Sequence, residues 1–141
     1  MDVAQVSVFL ENRTGGLADV VDVLAKNGID IQAVTLADMS DFGILRIIVE
    51  DADRAKTVLK AAGFTADKTR VVAVEVPDRP GGLSETLAVL RRQGINVEYM
   101  YSAARKRGER AIVVLRVDEI AKAAGALREA GVKVLEKLEA M

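Results

Sequence analysis

The chain repeats itself. Glu11-Asn12-Arg13-Thr14-Gly15-Gly16-Leu17 returns 66 residues later as Pro77-Asp78-Arg79-Pro80-Gly81-Gly82-Leu83, each time between an apolar run and an amphipathic one. Downstream, Asn27-Gly28-Ile29-Asp30-Ile31 returns as Gln93-Gly94-Ile95-Asn96-Val97. Further on the offset becomes 68, since Ala62-Gly63 returns as Ala130-Gly131. The two extra residues fall near Arg105-Lys106-Arg107-Gly108, where a hairpin tip absorbs length at little cost. A repeat of this length limits the fold to one supersecondary unit built twice.

Each unit reads as β-α-β-β-α-β. Val6, Val8 and Leu10 alternate along a strand, and Leu17, Val20, Val21 and Leu24 recur at helical spacing. Asn27-Gly28 stops that helix. Strands follow over residues 29–36 and 43–49, separated by the polar stretch Asp38–Asp41. Asp51-Ala52-Asp53 supplies an N-cap, and Ala55, Val58, Leu59 and Ala62 make a second stripe. A short fourth strand begins at Phe64 and gives way, over Asp67–Arg70, to the first strand of the second copy. Right-handed crossovers put both helices of a unit on one face of a four-stranded antiparallel sheet. The fold class is therefore α/β in the α+β sense: two ferredoxin-like βαββαβ units, residues 1–68 and 69–141, packed side by side as an eight-stranded arrangement.

Composition narrows the function. Among 141 residues there is no cysteine and no histidine, which removes thiol nucleophiles, disulfides, zinc-finger spacings and the commonest general base. Ser7, Ser40, Ser84 and Ser102 lack a histidine to activate them, and no Gly-x-Ser-x-Gly elbow or phosphate-binding Gly-x-x-x-x-Gly-Lys-Ser/Thr loop occurs. The expectation is a non-enzyme without metal or cofactor. Net charge is −1, so nothing points to nucleic acid or a membrane surface, and no apolar run reaches bilayer length. Residues 1–66 carry six basic and ten acidic groups, and residues 67–141 fourteen and eleven, an opposition that favours attraction between halves or chains. The start, Met1-Asp2-Val3, shows no basic leader, and a cytoplasmic location is expected.

A duplicated β-α-β-β-α-β unit with a strand–Asn/Asp-x-x-Gly-x-Leu–helix turn, and a helix ending in Gly-Ile-Asn/Asp-Ile/Val, resembles the ACT domain. The motifs are Asn12–Leu17 with Gly28–Ile31, and Asp78–Leu83 with Gly94–Val97. The resemblance covers essentially the whole chain and implies a stand-alone regulatory tandem, a small-molecule sensor with a free amino acid between its two units. It also implies that the glycine turn offers backbone N–H groups to the ligand carboxylate while a side chain such as Asn12 holds its polar groups. On that basis Asn12, Thr14, Gly15, Gly16 and Leu17 are carried over as ligand-binding. Asp78 takes the place of Asn12 and Pro80 that of Thr14, so the second turn has an acid and one N–H fewer.

Tyr99 and Tyr101 lie two apart on a strand and share a face with Ile95 and Val97 if no bulge intervenes. They either shape a pocket or cover the sheet face opposite the helices. Asp41 and Phe42, in a polar loop with Asp38 and Ser40, either contact ligand or simply close a hairpin. The glycine turns themselves also serve as plain strand–helix connections, and Asn12 as a turn residue. The basic cluster at Arg105, Lys106, Arg107 and Arg110 reads as a solvated hairpin tip. Output is expected through a homodimer or a metabolic enzyme partner. The competing expectation is a regulatory or scaffolding subunit that works by protein contact alone.

Overall fold

The computed structural model describes residues 3–37, 40–107 and 110–138, with the backbone alone for 104–107. The chain forms two compact units, residues 4–69 and residues 70–138 with Val3. In the first, β1 (Val3–Glu11), α1 (Gly16–Lys26), β2 (Ala33–Ala37), β3 (Phe42–Ile48), α2 (Ala52–Ala61) and the start of β4 (Thr65–Pro77) follow in order. The strand order is β2-β3-β1-β4, with β3 antiparallel to both its neighbours.

Strand alternation decides what this unit buries. Val6, Val8 and Leu10 of β1 lie opposite Ile47, Leu45 and Gly43 of β3. Their shared face meets Val20 and Leu24 of α1 and Ala55 and Leu59 of α2, all buried. Each Val, Leu or Ile among them contributes roughly 1.5–3 kcal/mol when fully buried. Val34 and Leu36 of β2 stand on the same face but at the sheet edge, beyond the cover of the helices, and remain about half exposed.

The second unit uses the rest of β4, α3 (Gly82–Arg92), β5 (Val97–Arg107), β6 (Arg110–Val117), α4 (Ile120–Glu129) and β7 (Lys133–Leu135). Its order is β5-β6-β4-β7. Val72, Val74 and Val76 take the places of Val6, Val8 and Leu10, over Leu90 and Leu127. All four helices end alike. Ile29 N–H bonds back to Leu24 O at 2.9 Å past the left-handed Gly28, and Phe64, Ile95 and Val132 repeat the bond at 2.9–3.0 Å.

Two expectations are corrected. The second strand starts at Ala33 rather than Ile29. Gln32 N–H is the group that reaches Ile48 O, at 2.8 Å, while Ile29 and Ile31 reach the core from the connection before it. The fourth strand of the first copy and the first strand of the second are one 13-residue strand, with no break over Asp67–Arg70. Seven strands, not eight, are therefore found among the described residues. Between the two readings of the tyrosines the structure selects the sheet face opposite the helices, because a register shift between Val97 and Tyr99 turns them away from the face that carries Val97. Val97 pairs with Val117 and packs on the helices, whereas Tyr101 pairs with Val114 on the opposite face and is buried there.

Helix α2 offers a direct check on its own start. Asp51 accepts from Arg54 N–H at 3.0 Å and so caps the helix. Asp51→Ala should cost about 1 kcal/mol in urea unfolding, whereas the same change at exposed Asp67 should cost almost nothing.

Candidate functional site

Strand β1 ends at Glu11, which pairs with Phe42 at the start of β3. The chain then doubles back over five residues. Arg13 N–H donates to Glu11 O at 2.9 Å, Gly16 N–H to Arg13 O at 3.2 Å, and Asp19 N–H to Gly15 O at 2.9 Å, which opens α1. Gly15 is the N-cap, at φ +84°, and no side chain caps the helix. A residue with a Cβ is strained at that φ. Gly16 is needed for a different reason: a Cβ there would stand 3.0 Å from Glu11 O. Helix N–H groups are thus presented at a bare turn, with the positive end of the helix behind them.

Two side chains hold the turn in shape. Arg13 folds over it, with Nη2 3.1 Å from Asp19 Oδ2, Nη1 donating to Thr14 O at 3.2 Å, and Nε 3.7 Å from Glu11 Oε2. Asn12 ties it to the loop before β3. Its N–H donates to Asp41 O at 2.8 Å and its Nδ2 to Ser40 O at 3.2 Å. Asn12 therefore does make a structural hydrogen bond, but across the unit rather than to its own turn. Its Oδ1 remains as an acceptor.

The structure accordingly gathers Asn12, Thr14, Gly15, Gly16 and Leu17 with Asp41 and Phe42 at one end of the first unit. A cleft of about 170 Å³ opens there between Asn12, Arg13, Leu17, Leu36 and Gly43. A second, of about 330 Å³, lies on the other side of the turn, against Arg13, Gly16 and Phe42. Asp38 and Met39, Gly108, and the side chains of Arg105, Lys106 and Arg107 lie outside the described residues.

In the other unit, Asp78 sits on the turn from β4 into α3. Arg79 N–H donates to Pro77 O at 3.0 Å, Gly82 N–H to Arg79 O at 3.0 Å, and Glu85 N–H to Gly81 O at 2.9 Å. Arg79 Nη2 meets Glu85 at 2.9 Å and Nη1 meets Pro80 O at 3.2 Å. This turn is the tighter of the two, since a Cβ on Gly82 would stand 2.0 Å from Pro77 O. Tyr99 and Tyr101 lie on β5, on the sheet face away from the helices. A broad apolar groove of about 920 Å³ runs beside α3, bordered by Leu83, Leu87, Ile95 and Met100.

Sequence reasoning passed over Arg13 and Asp19. The signal was present: Arg79 and Glu85 repeat the basic residue and the acid six positions on. It also passed over Phe9 and Phe64 near the first turn, because nothing in their spacing links them to it.

Among the described residues no group of three acidic side chains is placed to hold a metal ion, and no helix is long and apolar enough to cross a membrane.

The chain matches the family described as an ACT domain pair over residues 1–140. It is similar to protein BT0572 from Bacteroides thetaiotaomicron, with 41% identity, a TM-score of 0.90, and 96% of this chain and 92% of that one covered. The regulatory subunit of aspartate kinase from Thermus thermophilus, in its ligand-free form, shares the fold at a TM-score of 0.67 and 20% identity over 92% and 93% of the two chains. The regulatory subunit of aspartate kinase from Thermus flavus does so at 0.66 and 21%, over 93% and 92%. No curated protein matches.

Proposed function

The chain belongs to the ACT family, as a pair of ACT units, and on that premise we propose that it is a non-catalytic sensor of a free amino acid. The observation that carries the reading is the bare turn from Glu11 to Leu17. It joins an uncapped helix N-terminus, a side-chain acceptor on Asn12 and a cleft within a few residues. Gly16 N–H is already bonded to Arg13 O. The carboxylate therefore takes the N–H groups of Gly15 and Leu17, favoured by the helix dipole. Asn12 Oδ1 accepts from the ligand ammonium, its Nδ2 being held by Ser40 O. The second turn, with Asp78 and Pro80, serves mainly as structure. Ligand occupancy is passed on through a homodimer or to an enzyme of amino-acid metabolism. The regulatory subunits of aspartate kinase that share this fold support such a role for it.

A purely interacting subunit is the competing reading, and one observation favours it. Leu17, Val34 and Leu36 are exposed apolar side chains around a sheet edge that carries no charge.

A thermal-shift screen against the twenty amino acids separates the two. A ligand held only by the folded protein adds about 2.7 kcal/mol at a hundredfold excess over its Kd, which raises the Tm by several degrees. No shift with any amino acid would leave the interacting subunit as the function. Asn12→Ala should weaken the binding about tenfold while costing the fold no more than about 1 kcal/mol, the worth of its bond to Ser40 O. Unchanged affinity in that variant would remove Asn12 from the site.

A further inference from the structure

The chain has only three phenylalanines, and all three border one cleft. Phe9 and Phe42 stand on the same face of the first sheet, since Phe9 pairs with Ile44 and Glu11 with Phe42. Phe64 enters from the other side, directly after the left-handed Gly63 that ends α2. The cleft is about 330 Å³, within the range of small-ligand sites, and Gly16 forms part of its wall. Glu11 and Arg13, of opposite charge, stand at its rim.

The fold does not require these rings. At the corresponding positions of the second unit stand Glu75, Arg110 and Val132, and that unit builds the same strands and helices without them. Nor do Phe9 and Phe42 fill the core, being 49% and 54% exposed, while Phe64 packs against its edge and is partly buried. Two half-exposed rings beside a third, in a protein with 4% aromatic residues, form a concentrated apolar surface next to a glycine turn that carries both charges; the second glycine turn, with Arg79 and Glu85, has no aromatic residue at the corresponding positions.

We propose that the cleft between Phe9, Phe42 and Phe64 receives the side chain of the ligand, and that the ligand is an aromatic amino acid. This rests on the sensor reading above and names its ligand class. A ring entering the cleft meets other rings edge to face or offset, an arrangement that adds to the gain from burial alone. The zwitterionic end then lies along the turn, with its ammonium towards Asn12 Oδ1 and the neighbouring Glu11 and its carboxylate towards Arg13 and the start of α1. An aliphatic side chain would bury similar area but lose the ring contacts. A short polar one would leave the rings exposed.

The test is isothermal titration of the full-length chain with phenylalanine, tyrosine, tryptophan, leucine, threonine and lysine. At least one aromatic amino acid should bind ten times or more tighter than leucine, and threonine and lysine more weakly still. Phe42→Ala should cut that affinity about tenfold without unfolding the protein, because the ring is half exposed, and Phe42→Tyr should restore it. Binding of threonine or lysine in preference to every aromatic ligand overturns this proposal and leaves the sensor reading intact. Leucine bound as tightly as the aromatic amino acids also overturns it, as does full affinity in Phe42→Ala. If none of the six binds and no amino acid raises the Tm in the thermal-shift screen, both readings fall together.

Discussion

Gly82→Ala is expected to destabilise the protein by about 3 kcal/mol or more, among the largest effects of any single methyl group added to this chain. The added Cβ would stand 2.0 Å from Pro77 O and 3.0 Å from Pro77 C. Neither atom can yield cheaply. Pro77 has its φ fixed by its ring and is paired with Arg110 across the sheet. Its carbonyl also accepts from Arg79 N–H, which holds the turn closed. Relief would require moving the first turn of α3 away from β4. Gly16→Ala is the matched control, since its Cβ would stand 3.0 Å from Glu11 O. That contact is tight but eases with a shift of a few tenths of an ångström, so a cost of about 1 kcal/mol is expected. Urea unfolding of the two variants measures the difference. Equal costs would mean that the two turns are equally constrained, and would undo the assignment of the second to structure and the first to ligand.

The second large effect is expected at Leu45→Ala. Leu45 is fully buried on β3, facing Val8 across one ladder and Leu36 across the other, beneath Leu24 and Leu59. Truncation leaves a cavity that these neighbours cannot fill, because each is held by its own strand or helix. The loss should be 2–5 kcal/mol, about 4 if the cavity stays open. The first cleft should suffer as well, since Leu36 and Gly43, part of its wall, are held in register by this strand. Leu45→Met, nearly equal in volume, should cost less than about 1.5 kcal/mol. A loss below 1 kcal/mol for the alanine variant, by calorimetry or denaturant, would show that the core of the first unit is looser than its packing implies.

The sequence carried the fold well because its signals are local and doubled. Alternation in Val6, Val8 and Leu10 and the glycine stops at Gly28 and Gly63 each recur in the second copy, as Val72, Val74 and Val76 and as Gly94 and Gly131. Boundaries failed where the cause is tertiary. Nothing in Asp67–Arg70 reads as strand: the stretch is charged and lacks alternation, yet the strand runs through it unbroken from Thr65 to Pro77. The bulge near Val97 was equally hidden, for its outcome depends on what Tyr101 is packed against rather than on the residues that flank it. At the first turn, Asn12 was legible as a residue, but its bond to Ser40 O spans 28 positions. The meeting of Phe9, Phe42 and Phe64 spans more, and only the folded chain shows it.

The uninterrupted strand from Thr65 to Pro77 has a consequence for how such a protein can change over time. Copies joined by a flexible tether can gain or lose residues at the joint freely. Here the joint is itself pleated, and one inserted residue would turn every later side chain of the strand to the opposite side, sending Val72, Val74 and Val76 out of their core. Only insertions or deletions of even number preserve that parity. The single length difference between the copies is two residues, and it lies at a hairpin rather than at the joint. The junction is thus held to one parity of length, and the descent of this protein from one copied unit should be read from drift elsewhere.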